Sequence, residues 1–249
     1  IGSVYPKYFI STLPVSKIYF GPKQIFGKDN SIYKGLDIIR IVPQNEVSEI
    51  RSVQRGTSTT MPESLKDAIC WFICAVAQRR ASGSVSPISM LIHTDQKTKS
   101  HERMCILVKD FFNTNSTAKI TDKCKKLWTN ETKRFNKDAF YNQYSDENLV
   151  YHKVIHLCVD NSINNVRKND TKNIRLVYPS DDANLGFAPA FIVIGGATLS
   201  RGLTIEGLVS TFFLRTVKQA DTLMQMGRWF GYRRGYELLQ RIWMSENTK

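Results

Sequence analysis

The sequence contains no run of about 18 apolar residues, so no segment has the make-up of a membrane-spanning helix. Cysteine is sparse and shows no pairing pattern. Cys70, Cys74, Cys105, Cys124 and Cys158 are five, an odd number, and no C-x-x-C occurs among them. That excludes a disulfide framework and a zinc ribbon, and leaves reduced, mostly buried thiols of a cytoplasmic protein as the expectation. No G-x-x-x-x-G-K-S/T occurs. A phosphate cradle with its lysine and its magnesium-binding hydroxyl is therefore missing from these residues. No D-E-x-D/H box follows an apolar run either. Acidic residues are outnumbered, 22 against 35 Lys and Arg, for a formal net charge of +13 over 249 residues. An imbalance of that size favours an anionic partner, and nucleic acid is the commonest one. The alternative is a basic surface that binds nothing.

The scarcity of carboxylates bears on nuclease chemistry. A metal-dependent nuclease needs clustered carboxylates, often with a lysine, to hold magnesium. Asp181-Asp182 sits in a turn-like loop with no E-x-K nearby. Glu131 and Lys133 form an E-x-K, but in a lysine-rich stretch with no strand signal. His152 and His156 have no third ligand at metal spacing. No metal site is expected here.

What is present is an α/β pattern. Hydrophobic residues make up 42% of the chain, enough for a sizeable core. Both ends read as cuts from a longer protein: Ile1 opens the sequence without Met or a basic-then-apolar leader, and the polar tail 245–249 follows directly on an apolar stretch. Residues 1–60, rich in Pro, Gly and aromatics, read as an N-terminal packing arm, with 38–42 as a strand or extended segment. A helix is expected from Pro62. Thr60 and Glu63 have capping-box spacing, and Leu65, Ile69, Phe72, Ile73 and Val76 follow at helical spacing. Arg79, Arg80 and Gly83 mark its end. Residues 89–94 read as a buried strand and 101–113 as a second helix, the order of a parallel α/β unit.

Residues 114–150 read as a basic helical insertion. Lys119, Lys123, Lys125, Lys126, Lys133 and Lys137 interleave with Trp128, Phe135, Phe140, Tyr141 and Tyr144. Such interleaving suits a grip on single-stranded nucleic acid; the alternative is an amphipathic helix pair with a solvated basic face. Further strands are expected at 154–159, 190–194 and 210–214, with a shorter one at 174–178. A helix opens at Asp221. The domain expected over 61–249 is thus a mostly parallel sheet flanked by helices.

The last 60 or so residues carry the chemistry. After the strand ending at Ile194 comes Gly195-Gly196-Ala197-Thr198-Leu199-Ser200-Arg201-Gly202-Leu203-Thr204-Ile205. Glycine-rich turns at the carboxyl end of a parallel strand let main-chain N–H groups approach a phosphate, and open α/β sheets bind ligands there. After the next strand comes Asp221-Thr222-Leu223-Met224-Gln225-Met226-Gly227-Arg228-Trp229-Phe230-Gly231-Tyr232-Arg233. An arginine with small neighbours can reach an adjoining nucleotide and stabilise the charge of phosphoryl transfer.

Strand, S-R-G-L-T-I, strand, then Q-M-G-R with a later arginine resembles motifs V and VI of superfamily 2 helicases, and 89–94 resembles their motif IV strand. More closely, 195–243 resembles the Z1 domain family, a family described as endonucleases. The shared run is a double glycine, L-S-R-G-L-T, the Glu206-Gly207-Leu208 turn, D-T-L-M-Q-M-G-R-W-F-G-Y-R, then G-Y-E-L-L and R-I-W. Landmarks at 5–10, 25–27, 62–69 and 89–94 follow in the family's order, so the resemblance covers nearly the whole chain.

The resemblance implies the second RecA-like lobe of a superfamily 2-type DNA-dependent ATPase or translocase in a bacterial restriction or phage-defence system. ATP and Mg2+ would be bound only together with an upstream ATPase lobe of the same polypeptide, and neither by this chain alone. DNA, that lobe and other defence-system proteins are the partners it implies. By similarity to motif VI, Arg228 is the first arginine finger. The usual second arginine falls on Gly231, so Arg233 would have to replace it. By similarity to motif V, Ser200, Arg201, Gly202 and Thr204 line the inter-lobe cleft and touch DNA backbone or ribose; many helicases carry Asp where Thr204 stands. Thr94, Gly195, Gly196, Asp221 and Gln225 complete the expected nucleotide- and DNA-binding set. Each residue has a plainer role open to it. The glycines would merely end strands, Asp221 would cap a helix, Arg201 would form an ion pair, and Trp229, Phe230 and Tyr232 would be core. A metal-dependent DNA endonuclease and a non-catalytic scaffold of the same fold are the competing functions.

Overall fold

A computed structural model describes residues 35–135, 156–159, 190–195, 205, 207–214, 235 and 237–246. In chain order the elements are β1 (Ile39–Val42), α1 (Gln44–Arg55), α2 (Glu63–Ala81), β2 (Ile88–His93), α3 (Thr98–Thr114), α4 (Thr117–Thr132), β3 (His156–Val159), β4 (Ala190–Ile194), β5 (Leu208–Phe213) and β6 (Arg241–Ser245). The strands form one six-stranded sheet in the order β1-β6-β5-β2-β4-β3. Every pairing in it is parallel. The α/β class with a parallel sheet flanked by helices is therefore as the sequence leads one to expect.

The central strands are largely apolar because both their faces are covered: all residues of β2, β4 and β5 are buried, and β4 is apolar throughout. Alternate strand residues (Ile88, Met90, Ile92, Ile192, Ile194, Phe212) share one hydrophobic cluster with all four helices. The helix α2 lies at its centre, with Leu65, Ile69, Phe72 and Cys74 inaccessible. Ser210 of β5 ties to it, its hydroxyl donating to Ala68 O at 3.1 Å. Gly207, at the entry to β5, has φ +66°, and a Cβ there would lie 2.0 Å from Pro87 O. Only glycine fits that crossing. No helix among the described residues is long and apolar enough to cross a membrane.

Four local expectations are revised. First, residues 39–55 do not form an arm. β1 pairs with β6 at the sheet edge, and α1 turns its apolar residues Val47, Ile50 and Val53 into the core. Its helix ends at Gly56, φ 81°, whose N–H meets Ser52 O and Val53 O. Residues 1–34 lie outside the described residues. Second, the Thr60–Glu63 capping box does not form. Pro62 is the N-cap and makes no side-chain cap hydrogen bond of its own. Glu63 instead pairs with Lys66 at 3.1 Å and with Lys123. The Ser64 amide donates to Glu46 Oε2 of α1 at 2.8 Å, so a tertiary carboxylate satisfies the helix end.

Third, the described part of the expected basic insertion, α4, is packed into the core. It packs along α2 through Ile120, Cys124 and Trp128, and Trp128 stacks on Trp71 with centroids 5.5 Å apart. Fourth, the stretch before the C-terminus is the strand β6, which the sequence pattern does not announce. The expected strand at 174–178 and the helix opening at Asp221 lie outside the described residues.

Candidate nucleic-acid interface

The sheet order puts a switch point beside β2. The next strand after β2 is β3, towards one edge; the next after β5 is β6, towards the other. Adjacent strands whose exits diverge leave a crevice at their carboxyl ends, where open α/β sheets take their ligands. A cleft of about 350 Å³ lies there, lined by Thr94, Asp95, Gln96 and Lys97 after β2, Leu214 after β5, and Val47, Ile50, Arg51 and Gln54 of α1.

The loop after β2 is knitted by Asp95. Its carboxylate accepts from the Ser100 hydroxyl at 2.6 Å and from the Gln96 amide at 2.6 Å. His101 Nε2 lies 2.9 Å from its main-chain carbonyl. Burial works against the Asp95 charge, but the Ser100 hydroxyl and the Gln96 and Lys97 amides outweigh it and hold its pKa below the usual carboxylate range. An internal anion thus already stands beside the amino end of α3. A phosphate entering the cleft would meet the cations Arg51 and Lys97 and the polar groups of Thr94, Gln54 and Gln96, with Asp95 repelling it from the helix end.

Of the expected site residues, the structure describes two, both at the carboxyl end of the sheet. Thr94 lines the cleft. Gly195 closes β4 next door, its N–H donating to Ile92 O at 3.2 Å and its carbonyl accepting from His93 Nδ1 at 2.7 Å. Gly196, Ser200, Arg201, Gly202, Thr204, Asp221, Gln225, Arg228 and Arg233 lie outside the described residues. Arg51 and Gln54 were not legible as site residues, because the helix carrying them was not expected. Asp95 and Lys97 fall in the polar stretch between the expected strand and helix, whose composition marks a loop and no site.

Other candidates are absorbed by packing. Glu131, the acid of the E-x-K pattern, is buried between two guanidinium groups. Arg40 Nε donates to its Oε1 at 2.8 Å, and Arg241 Nε to its Oε2 at 2.7 Å. Arg241 is itself inaccessible and lies over the rings of Trp71 at 4.2 Å and Phe135 at 4.5 Å. Burial opposes the Glu131 charge, yet Arg40 and Arg241 prevail and hold its pKa below the ordinary value. Burial draws the Arg241 guanidinium down to about 10, with Glu131 opposing, which leaves it charged at neutral pH.

Trp128 is buried against Trp71, and Phe135, half-buried, gives one face of its ring to Arg241. Lys123 is bound by Glu63 and by Asp67 at 2.8 Å. Lys119, Lys125 and Lys126 on α4, and Lys133 just after it, remain exposed. Phe140, Tyr141 and Tyr144 lie outside the described residues, as do Asp181-Asp182. Among the described residues no group of three or more His, Cys, Asp or Glu is arranged to hold a metal ion.

Comparison with the curated proteins and with the solved structures gives no match. The family model described as Z1 domain matches residues 64–249, from the first turn of α2 onward, and the chain therefore belongs to the Z1 domain family.

Proposed function

We propose that this chain is the second RecA-like lobe of a superfamily 2-type DNA-dependent ATPase or translocase serving a restriction or phage-defence system. The observation that carries the reading is the meeting of three features at one end of the sheet. The strand exits diverge there, Arg51 and Lys97 line the resulting cleft, and Gly195 and Leu214, which precede the two stretches bearing the helicase-like patterns, stand at that same end of the sheet. Arg51 and Lys97 would neutralise backbone phosphates, and Thr94 and Gln54 would hydrogen-bond them, contacts that position a duplex or strand without reading its sequence. Segment 196–204, with Ser200, Arg201 and Thr204, would extend that contact. Arg228, with Arg233 in support, would reach a nucleotide held by an upstream ATPase lobe. ATP and Mg2+ would be bound there, since this chain has no phosphate cradle of its own.

The test titrates labelled single- and double-stranded DNA with the chain at several salt concentrations, with and without magnesium, and runs the DNA on a denaturing gel. Intact DNA and an affinity that falls steeply with salt support the reading. Magnesium-dependent cutting would replace it with the endonuclease reading. Neither binding nor cutting would leave a scaffold. In a protein that includes the ATPase lobe, Arg228→Ala is expected to lower DNA-stimulated turnover by about 10³ or more.

A further inference from the structure

His93 ends β2 between β4 and β5 and is fully buried. Its main-chain carbonyl accepts from the Leu214 amide at 3.1 Å. Its ring stacks on Phe213, centroids 5.3 Å apart and planes 21° apart. Its Nδ1 lies 2.7 Å from the Gly195 carbonyl. A carbonyl only accepts, so Nδ1 carries the proton. The preceding residue, Ile92, accepts from the Gly195 amide at 3.2 Å. Gly195 is thus held through both its N–H and its C=O by consecutive residues of β2. One side chain and its own main chain thus touch the residue that follows β4 and the residue that follows β5.

Burial alone does not call for an imidazole. The neighbouring Ile92, Ile194 and Phe212 are apolar, and a polar ring in such a place is unfavourable unless it is hydrogen-bonded. What the imidazole adds is an N–H aimed at one glycine carbonyl. That glycine begins the segment 196–204, and Leu214 immediately precedes the segment 215–234 that carries Arg228 and Arg233.

We infer that His93 is a positioning residue: it ties the exits of β2, β4 and β5 together and so sets where the two motif-bearing segments leave the sheet. The tie is local geometry. Its consequence for DNA rests on the function proposed above.

The experiment compares three variants with the unaltered chain. His93→Asn keeps an N–H near the Nδ1 position. His93→Gln carries its N–H too far out. His93→Phe keeps the ring stack and loses the donor. Amide hydrogen exchange at Gly195 and Leu214 is read beside that of the α2–α4 interface, and DNA affinity is read by fluorescence anisotropy. In the Phe and Gln variants, exchange at Gly195 and Leu214 should quicken, and DNA affinity should fall, each about tenfold, the scale of one lost hydrogen bond. The Asn variant should return both towards the original values. The α2–α4 amides should stay as protected as before. Unchanged exchange at Gly195 and Leu214 in the Phe variant overturns the inference. So does acceleration of every amide together, which would mark His93 as a general stability residue. Should the Phe variant not fold, an Asn variant no better than the Gln variant overturns it equally. If the unaltered chain binds no DNA at any salt, the proposed function fails alone, and the exchange data still decide the role of His93.

Discussion

Two charged clusters of this fold use the same side-chain types to opposite ends. Around Glu131 one carboxylate and two guanidinium groups are sealed between α4, β1 and β6, with Arg241 sandwiched against Trp71 and Phe135. Around Asp95 a carboxylate, Arg51 and Lys97 line an open cleft. In the first cluster the cations spend their charge on the protein. In the second, the carboxylate is committed to the amino end of α3, and Arg51 and Lys97 face the space an anion would enter. The difference teaches that net charge alone does not locate a binding surface. Arg40, Arg241 and Lys123 count towards the total of +13, yet they serve the fold.

The sharpest way to break the comparison is to remove the buried carboxylate. Glu131→Ala strands two guanidinium groups and should cost about 3–5 kcal/mol in denaturant unfolding, while the DNA affinity of the folded protein stays unchanged. The same pair sets an acid limit. The folded-state pKa of Glu131 lies below its ordinary 4.5, so its contribution is fully present above that pH and fades as the pH falls through the lowered value. Glu131→Gln should flatten that part of the stability–pH curve.

Next in size is Gly207→Ala. With φ at +66° and Pro87 O in the path of a Cβ, it should cost at least about 1–3 kcal/mol in melting experiments. In the cleft the signs reverse. Arg51→Ala and Lys97→Ala should each leave stability within about 0.5 kcal/mol, yet weaken DNA binding and lower the slope of log affinity against log salt by about 0.9. A slope unchanged in both would remove the cleft from the interface. The smallest effect concerns the thiols. The hydrogen bond to Cys124 and burial push the Cys70 thiol up, and burial raises Cys105. Cys70, Cys74, Cys105 and Cys124, all buried, should resist a thiol reagent at neutral pH until the chain unfolds, as peptide mapping of the label would reveal.

Legibility followed the range of the interactions. The strands at 88–93, 190–194 and 208–213 were readable because a strand buried on both faces writes itself as a short apolar run. The core of α2 was readable from its spacing, and its arginine-rich last turn from end signals. β6 was not: its sequence, Arg241-Ile242-Trp243-Met244-Ser245, opens with a charge whose counter-ion is 110 positions away in sequence. α1 was missed although Pro43 and Gly56 bracket it and Val47, Ile50 and Val53 keep helical spacing, because the aromatic, Gly- and Pro-rich stretch before it suggested an arm. The capping-box spacing at Thr60 is overridden, since Lys123 takes Glu63 and Glu46 serves the helix end, contacts that local spacing does not encode.

The sequence by itself determined the α/β class, the membership that residues 64–249 express and the surplus of basic groups, and it contains no G-x-x-x-x-G-K-S/T run. These are properties of local pattern and composition, which survive without a fold. Only the tertiary structure decided which charges are free to act. It set α4 into the core, closed Glu131 between Arg40 and Arg241, and opened a cleft where the exits of β2 and β5 diverge. It also placed His93 at the meeting of β2, β4 and β5. Those outcomes depend on strand order and on contacts between residues far apart in the chain, and no local pattern encodes which distant groups will meet.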